Sequence, residues 1–136
     1  MPDAVVKLFV YGSLKPGFSN HAQIQRFVHD ARAGRIRGIL VDLGSFPALI
    51  PGDGLVEGVV LEIDQAALAI TDRIEGYVPD RDRCLYIRKQ VVVELDDGGQ
   101  VAAWTYEFAE PQRISGHPRL VAREIGGIPL HAWPAR

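Results

Sequence analysis

The chain has 136 residues, 47% of them hydrophobic, which fits one globular domain and excludes a disordered chain. A formal net charge of −2 and a pI near 6.1 leave no basic footprint for nucleic acid or an anionic membrane surface. Cys84 is the only cysteine, so no internal disulfide can form, and no apolar run reaches the ~18 residues that span a bilayer.

From the amino terminus, Met1-Pro2-Asp3-Ala4 lacks the basic start and apolar stretch of a signal peptide, so a cytoplasmic protein is expected. Val5 to Tyr11 is β-branched and aromatic and predicts a buried first strand that stops at Gly12. Gly12 to Gly17 is a loop turned by Pro16-Gly17. A helix capped by Ser19 or Asn20 is expected next, with Ile24, Phe27 and Val28 as its buried stripe. Residues 35–43 resume strand character, and Gly44 to Gly54, with two prolines and three glycines, reads as a loop.

Leu55 to Ile63 predicts another strand, in which Gly58 marks a bulge or a close approach. Asp64 is the expected N-cap of a second helix carrying Ala67, Ile70, Thr71 and Ile74 on one face and ending at Gly76. Leu85 to Leu95 and Val101 to Phe108 predict a hairpin turned by Asp96-Asp97-Gly98-Gly99. The tail from Glu110 is rich in proline and glycine and its pattern fixes no element; covering a pocket and forming an interface are both open to it. Strand outweighs helix, and the late hairpin argues against a regular βαβ alternation. The expected fold is α+β: a single domain over residues 1–136, built as a small mixed or antiparallel sheet, closed into a barrel, with two or three flanking helices. Residues 110–136 form a less defined extension of it.

Two stretches carry chemistry. In Tyr11-Gly12-Ser13-Leu14, Gly12 permits close backbone approach or positive φ, successive N–H groups can converge on a carboxylate, and Ser13 adds a hydroxyl. Such turns also occur in proteins that bind nothing there. The loop is neither a P-loop nor a dinucleotide fingerprint, and Ser13 does not sit in a nucleophile elbow. In Asp72-Arg73-Ile74-Glu75-Gly76-Tyr77, Glu75 lies at the edge of the buried stripe and at the negative end of the helix. Partial burial, the helix end and the like charge of Asp72 are each expected to raise its pKa, which suits a group that accepts and releases a proton near neutrality. A solvated glutamate paired with Arg73 or Arg88 is the alternative.

The remaining candidates are thin. His21, His29, His117 and His131 show no metal-ligand spacing, and Cys84 has no assignable histidine partner, so no metal site and no cofactor are expected. Arg26, Arg32, Arg35 and Arg37 read as a solvated face; a nucleic-acid partner would show itself as strongly salt-dependent binding. Trp104, Tyr106 and Phe108 share one strand face as core or pocket wall, and Tyr106 can offer its hydroxyl to a ligand. Tyr77 either closes a pocket or packs.

Together these stretches resemble the gamma-glutamylcyclotransferase-like (AIG2-like) family. The resemblance runs through Phe9-Val10-Tyr11-Gly12-Ser13-Leu14-Lys15-Pro16-Gly17, Asn20-His21, Gly38 to Gly44, Phe46-Pro47-Ala48, Val56-Glu57-Gly58, Asp72 to Tyr77, Tyr86-Ile87-Arg88 and Ala103 to Tyr106. It covers nearly the whole chain to about residue 108, and its first motif is most similar to the gamma-glutamylamine cyclotransferase branch. The resemblance implies a small β-barrel with flanking helices. It implies that Tyr11, Gly12, Ser13 and Leu14 bind the α-amino-acid end of a gamma-glutamyl group and that Glu75 is the general acid/base. The implied reaction is intramolecular acyl transfer, of the lyase or transferase type, giving 5-oxoproline and a free amine without a cofactor. A catalytically silent binding or regulatory domain of the same fold is the alternative, and the identity of the leaving amine stays open.

Overall fold

The computed structural model describes residues 4–78 and 84–134. Seven strands, one α-helix and four short 3-10 turns are found among them: β1 (Val5–Val10), β2 (Val28–Asp42), β3 (Pro47–Asp64), α1 (Leu68–Glu75), β4 (Tyr86–Leu95), β5 (Gln100–Phe108), β6 (Val121–Ile125) and β7 (Ile128–His131). The strand order is β1-β5-β4-β2-β3-β7-β6, and an added β1–β3 pairing closes the first five into a mixed barrel. Within it only β1–β5 is parallel. Closure removes the free edges that a small open sheet would expose.

The alternation of each strand divides the apolar residues between two faces. Leu8 and Val10 of β1, Leu61 and Ile63 of β3, and Tyr106 and Phe108 of β5 pack with Ala67 and Leu68 on the face that α1 covers. Phe9, Leu40, Val60, Val93 and Ala103 pack together on the other. Gly58 resolves as a close approach: a Cβ there would stand 2.4 Å from the Val10 carbonyl and 2.5 Å from Cζ of Phe9, while its pairing with Gly34 is regular.

Several sequence expectations are corrected. Residues 21–27 form two 3-10 turns, His21–Gln23 and Gln25–Phe27, instead of an α-helix, and Val28 already begins β2. The side chain of Asn20 does not cap; it reaches back to Ser13, so the segment follows the loop rather than winding freely. The two or three expected flanking helices are thus one α-helix with 3-10 turns. The expected loop 44–54 shortens, because β3 starts at Pro47 and pairs residues 47–50 with β2. Asp64 precedes a 3-10 turn and caps nothing; its carboxylate holds Nε2 of His29 at 2.6 Å. The hairpin forms as expected, with Glu94 opposite Gln100. The tail makes a second hairpin, β6–β7, that extends β3 through the parallel pairs Leu55–Leu130 and Val56–His131.

Candidate functional site

The loop after β1 is held by its own carbonyls and side chains. Lys15 N–H donates to Gly12 O at 3.1 Å, Asn20 N–H to Ser13 O at 2.8 Å, and Phe18 N–H to Lys15 O at 2.9 Å. Asn20 Nδ2 donates to Ser13 Oγ at 2.7 Å, and Nδ1 of the buried His21 meets Leu14 O at 2.8 Å. None of these bonds uses the N–H of Ser13 or Leu14. Gly12 does not have positive φ; Gly17 does, at 88°. What Gly12 requires is proximity, since a Cβ there would lie 3.0 Å from Cγ of Pro47.

Across from the loop stands the end of α1. The helix stops at Gly76 in the left-handed region (φ 69°, ψ 28°), with Gly76 N–H to Arg73 O at 3.3 Å and Tyr77 N–H to Asp72 O at 2.8 Å. This turn sets Glu75 in the wall of a cavity of about 360 Å³ whose other lining residues include Tyr11, Gly12, Ser13, Leu14 and Tyr106. All six residues proposed from sequence therefore meet at one cavity. Glu75 is half-buried, and no ion pair among the described residues includes it. Burial pushes its pKa from 4.5 up to about 7.

The expected contribution of Asp72 to that shift is not found. Arg88 Nη1 lies 3.0 and 2.9 Å from the two Asp72 oxygens, and Tyr106 donates its hydroxyl to Asp72 Oδ1 at 2.6 Å. A carboxylate so paired exerts little field on its neighbour, and burial remains as the cause. The same pair answers the alternative reading, because Arg88 is engaged with Asp72 and not with Glu75. Tyr106 lines the cavity with its hydroxyl committed to Asp72 and Thr71, while its carbonyl accepts from Tyr11 Oη at 2.7 Å. Burial raises the pKa of Tyr106 and of Tyr11, with the charge of Glu75 adding to the rise at Tyr11.

Sequence reasoning missed part of the wall. Tyr86 lines the cavity, donates to Pro47 O at 2.7 Å and packs edge-on against Phe46 and Phe108. Ser45, Phe46 and Pro47 line it from the β2–β3 turn, and Leu85 from the start of the β4 segment. Phe46-Pro47 and Tyr86 do occur in the ordered motifs, the one signal that singled them out. Tyr77 packs: its ring lies 5.5 Å from the Arg88 guanidinium. Trp133, from the tail, is buried and does not line the cavity, and its carbonyl accepts from Lys15 Nζ of the loop at 3.0 Å. The Cys84 thiol contacts the backbone of Val78. Among the described residues no three His, Cys, Asp or Glu side chains converge on a common point, and no helix is long and apolar enough to cross a membrane.

The chain is similar in sequence and in fold to proteins of one family. The family model described as gamma-glutamyl cyclotransferase, AIG2-like matches residues 8–126. A gamma-L-glutamyl-butirosin B gamma-glutamyl cyclotransferase from Niallia circulans is 35% identical over 103 residues, 74% of this chain. The match spans 65% of that enzyme's own length. A putative gamma-glutamylcyclotransferase from Methanocaldococcus jannaschii is 32% identical over 108 residues, covering 76% of this chain and 84% of that protein. The crystal structure of an AIG2-like protein from Mus musculus superposes with a TM-score of 0.67 at 27% identity, covering 85% of each chain. The chain belongs to the gamma-glutamyl cyclotransferase, AIG2-like family.

Proposed function

We propose that the protein cyclises a gamma-glutamyl amine or amide to 5-oxoproline and releases the free amine. The observation that carries this reading is the placement of Glu75, a carboxyl with a pKa near 7, in the same small cavity as the Tyr11–Leu14 loop. The loop N–H groups hold the α-carboxylate, so that the substrate's α-amino nitrogen faces its own γ-carbonyl. Glu75 takes a proton from the α-ammonium, and the freed nitrogen attacks the γ-carbon. The bond to the leaving nitrogen then breaks as Glu75 returns the proton to it, while the ring nitrogen gives up its second proton to water or to the departing amine.

Holding nucleophile and electrophile in one folded substrate is worth about 7–11 kcal/mol of barrier. Proton transfer by a positioned side chain adds about 10²–10⁴ in rate. Phe46 and Leu85, whose exposed side chains border the cavity, offer the departing amine an apolar surface. A panel of gamma-glutamyl amines and amino acids assayed for released 5-oxoproline tests the reading. Binding without turnover of any of them would instead indicate a silent binding domain.

A further inference from the structure

The Glu75 carboxylate has no hydrogen bond or ion pair among the described residues, yet the chain on both sides of it is gripped by one side chain. Arg88 of β4 pairs with Asp72, three residues before Glu75, and its guanidinium lies 5.5 Å from the ring of Tyr77, two residues after it. The other neighbouring ring is Trp104 of β5, at 5.3 Å. These distances are within the range of cation–π contact, and a planar guanidinium suits a site between two rings. Asp72 also receives the Tyr106 hydroxyl, and the Tyr106 carbonyl receives Tyr11 Oη. A chain of bonds therefore runs from the loop through Tyr106 to Asp72 and Arg88 without including Glu75.

The geometry points to Arg88 as a positioning residue: by clamping Asp72 and Tyr77 it fixes the last turn of α1, and so the place and burial of Glu75 opposite the Tyr11–Leu14 loop. This rests on the proposed acid/base role of Glu75. The groups around Glu75 leave burial as the variable that Arg88 controls. Tyr11 of the loop and Tyr86 of β4 are both kept protonated by burial. On α1 itself Asp72 is paired and Arg73 is exposed. With the clamp released, the turn loosens and water reaches the carboxyl.

The test is R88A, with Glu75 titrated by carboxyl NMR alongside steady-state kinetics. The expected result is a kcat lower by about 10²-fold, as for a displacement near 1 Å, with KM little changed. Water reaching the Glu75 carboxyl lowers its titration from about 7, while the Asp72 charge that Arg88 no longer neutralises raises it, so R88A/D72N should titrate below R88A. Added guanidinium should restore the kcat and the titration of R88A, because it can occupy the vacated space between the rings and pair with Asp72. A folded R88A with wild-type kcat, and an R88A/D72N that titrates no lower than R88A, overturn the inference. If R88A does not fold, R88K serves: it keeps a charge for Asp72 but has no plane for the rings, and both changes should appear in smaller measure. A folded R88K with wild-type values in both overturns it equally. If the wild-type protein releases no 5-oxoproline from any gamma-glutamyl compound, the functional reading fails, while the titration still judges the clamp.

Discussion

Gly12 and Pro47 pack against each other at the wall of the cavity, so closely that a Cβ on Gly12 would come within 3.0 Å of Pro47 Cγ and 3.3 Å of Cδ. The glycine of the loop is thus required by a contact from the β2–β3 turn rather than by an unusual φ. Gly12→Ala forces one of the two to give by a few tenths of an ångström. Overpacking of this kind costs about 1–3 kcal/mol. Thermal denaturation should show a lowered midpoint, and KM for a gamma-glutamyl substrate should rise. An unchanged KM and midpoint would mean that Pro47 yields without consequence for the loop.

Glu75→Gln should abolish 5-oxoproline release while leaving the fold and ligand binding largely intact. In the wild type kcat should fall as pH drops below about 7, where Glu75 becomes protonated and cannot accept the ammonium proton. Stability has the opposite dependence. The folded-state pKa lies above the unfolded one, so stability is full below about 4.5 and is lost as pH rises toward 7. At ~1.4 kcal/mol per pKa unit, the loss by pH 8 is about 3 kcal/mol. Glu75→Gln, which carries no titrating group there, should therefore gain stability over the wild type at pH 8 and gain little at pH 4. A mutant retaining full turnover would remove Glu75 from the mechanism.

The strands and α1 were legible from local signals, while the pairing of the loop with Glu75 came only from the ordered motifs of the family resemblance. A β-branched run ended by Gly12, a helical stripe ended by Gly76, and a turn of two acids and two glycines each settle a few residues at a time. What was not legible depends on partners distant in sequence. Ile24, Phe27 and Val28 have helical spacing, but Val28 is taken into β2 opposite Ile63, and Asn20 is drawn to Ser13. Tyr86 becomes a wall residue only when β4 is laid beside β5 and its hydroxyl meets Pro47 O. The β6–β7 hairpin turns on Gly126-Gly127, both at positive φ, a readable two-glycine turn. Its strands are short, β6 is largely exposed and β7 buries only Leu130 and His131, so no apolar alternation marked them. The role of Asp72 was misread for the same reason, since its partner Arg88 lies 16 residues away on strand β4.

Ser13→Ala should separate binding from chemistry. The hydroxyl accepts from Asn20 Nδ2, and losing a bond of this kind costs about 0.5–1.5 kcal/mol. KM should rise by no more than about tenfold with kcat retained, a factor equal to 1.4 kcal/mol. A fall in kcat of several orders of magnitude would make Ser13 a nucleophile and would be accompanied by a covalent adduct visible by mass spectrometry.

Phe46 and Leu85 offer a handle on the departing amine. Phe46→Ala shortens an exposed apolar wall that Tyr86 supports from one side. For a gamma-glutamyl compound with a large apolar amine, KM should rise by the loss of roughly 1.5–3 kcal/mol at most, the full burial of one such side chain. For gamma-glutamyl methylamine it should stay as it was. Equal effects on both substrates would place the amine elsewhere in the cavity.

The end of α1 can be probed without touching any group in the cavity chemistry. Gly76 sits at φ 69°, and a Cβ there would meet no atom within 4 Å, so substitution carries a conformational cost and no steric one. For an ordinary L-residue that cost is about 1–2 kcal/mol, and asparagine tolerates the left-handed region better than alanine. Denaturant unfolding should therefore rank the wild type above Gly76→Asn and Gly76→Ala lowest. Because Gly76 follows Glu75 directly and its N–H closes the helix onto Arg73 O, any relaxation of this turn moves the carboxyl. Turnover should fall in the same order as stability, measured well below the unfolding midpoint. Alanine equal to glycine in both measurements would show that the turn holds neither the helix end nor Glu75.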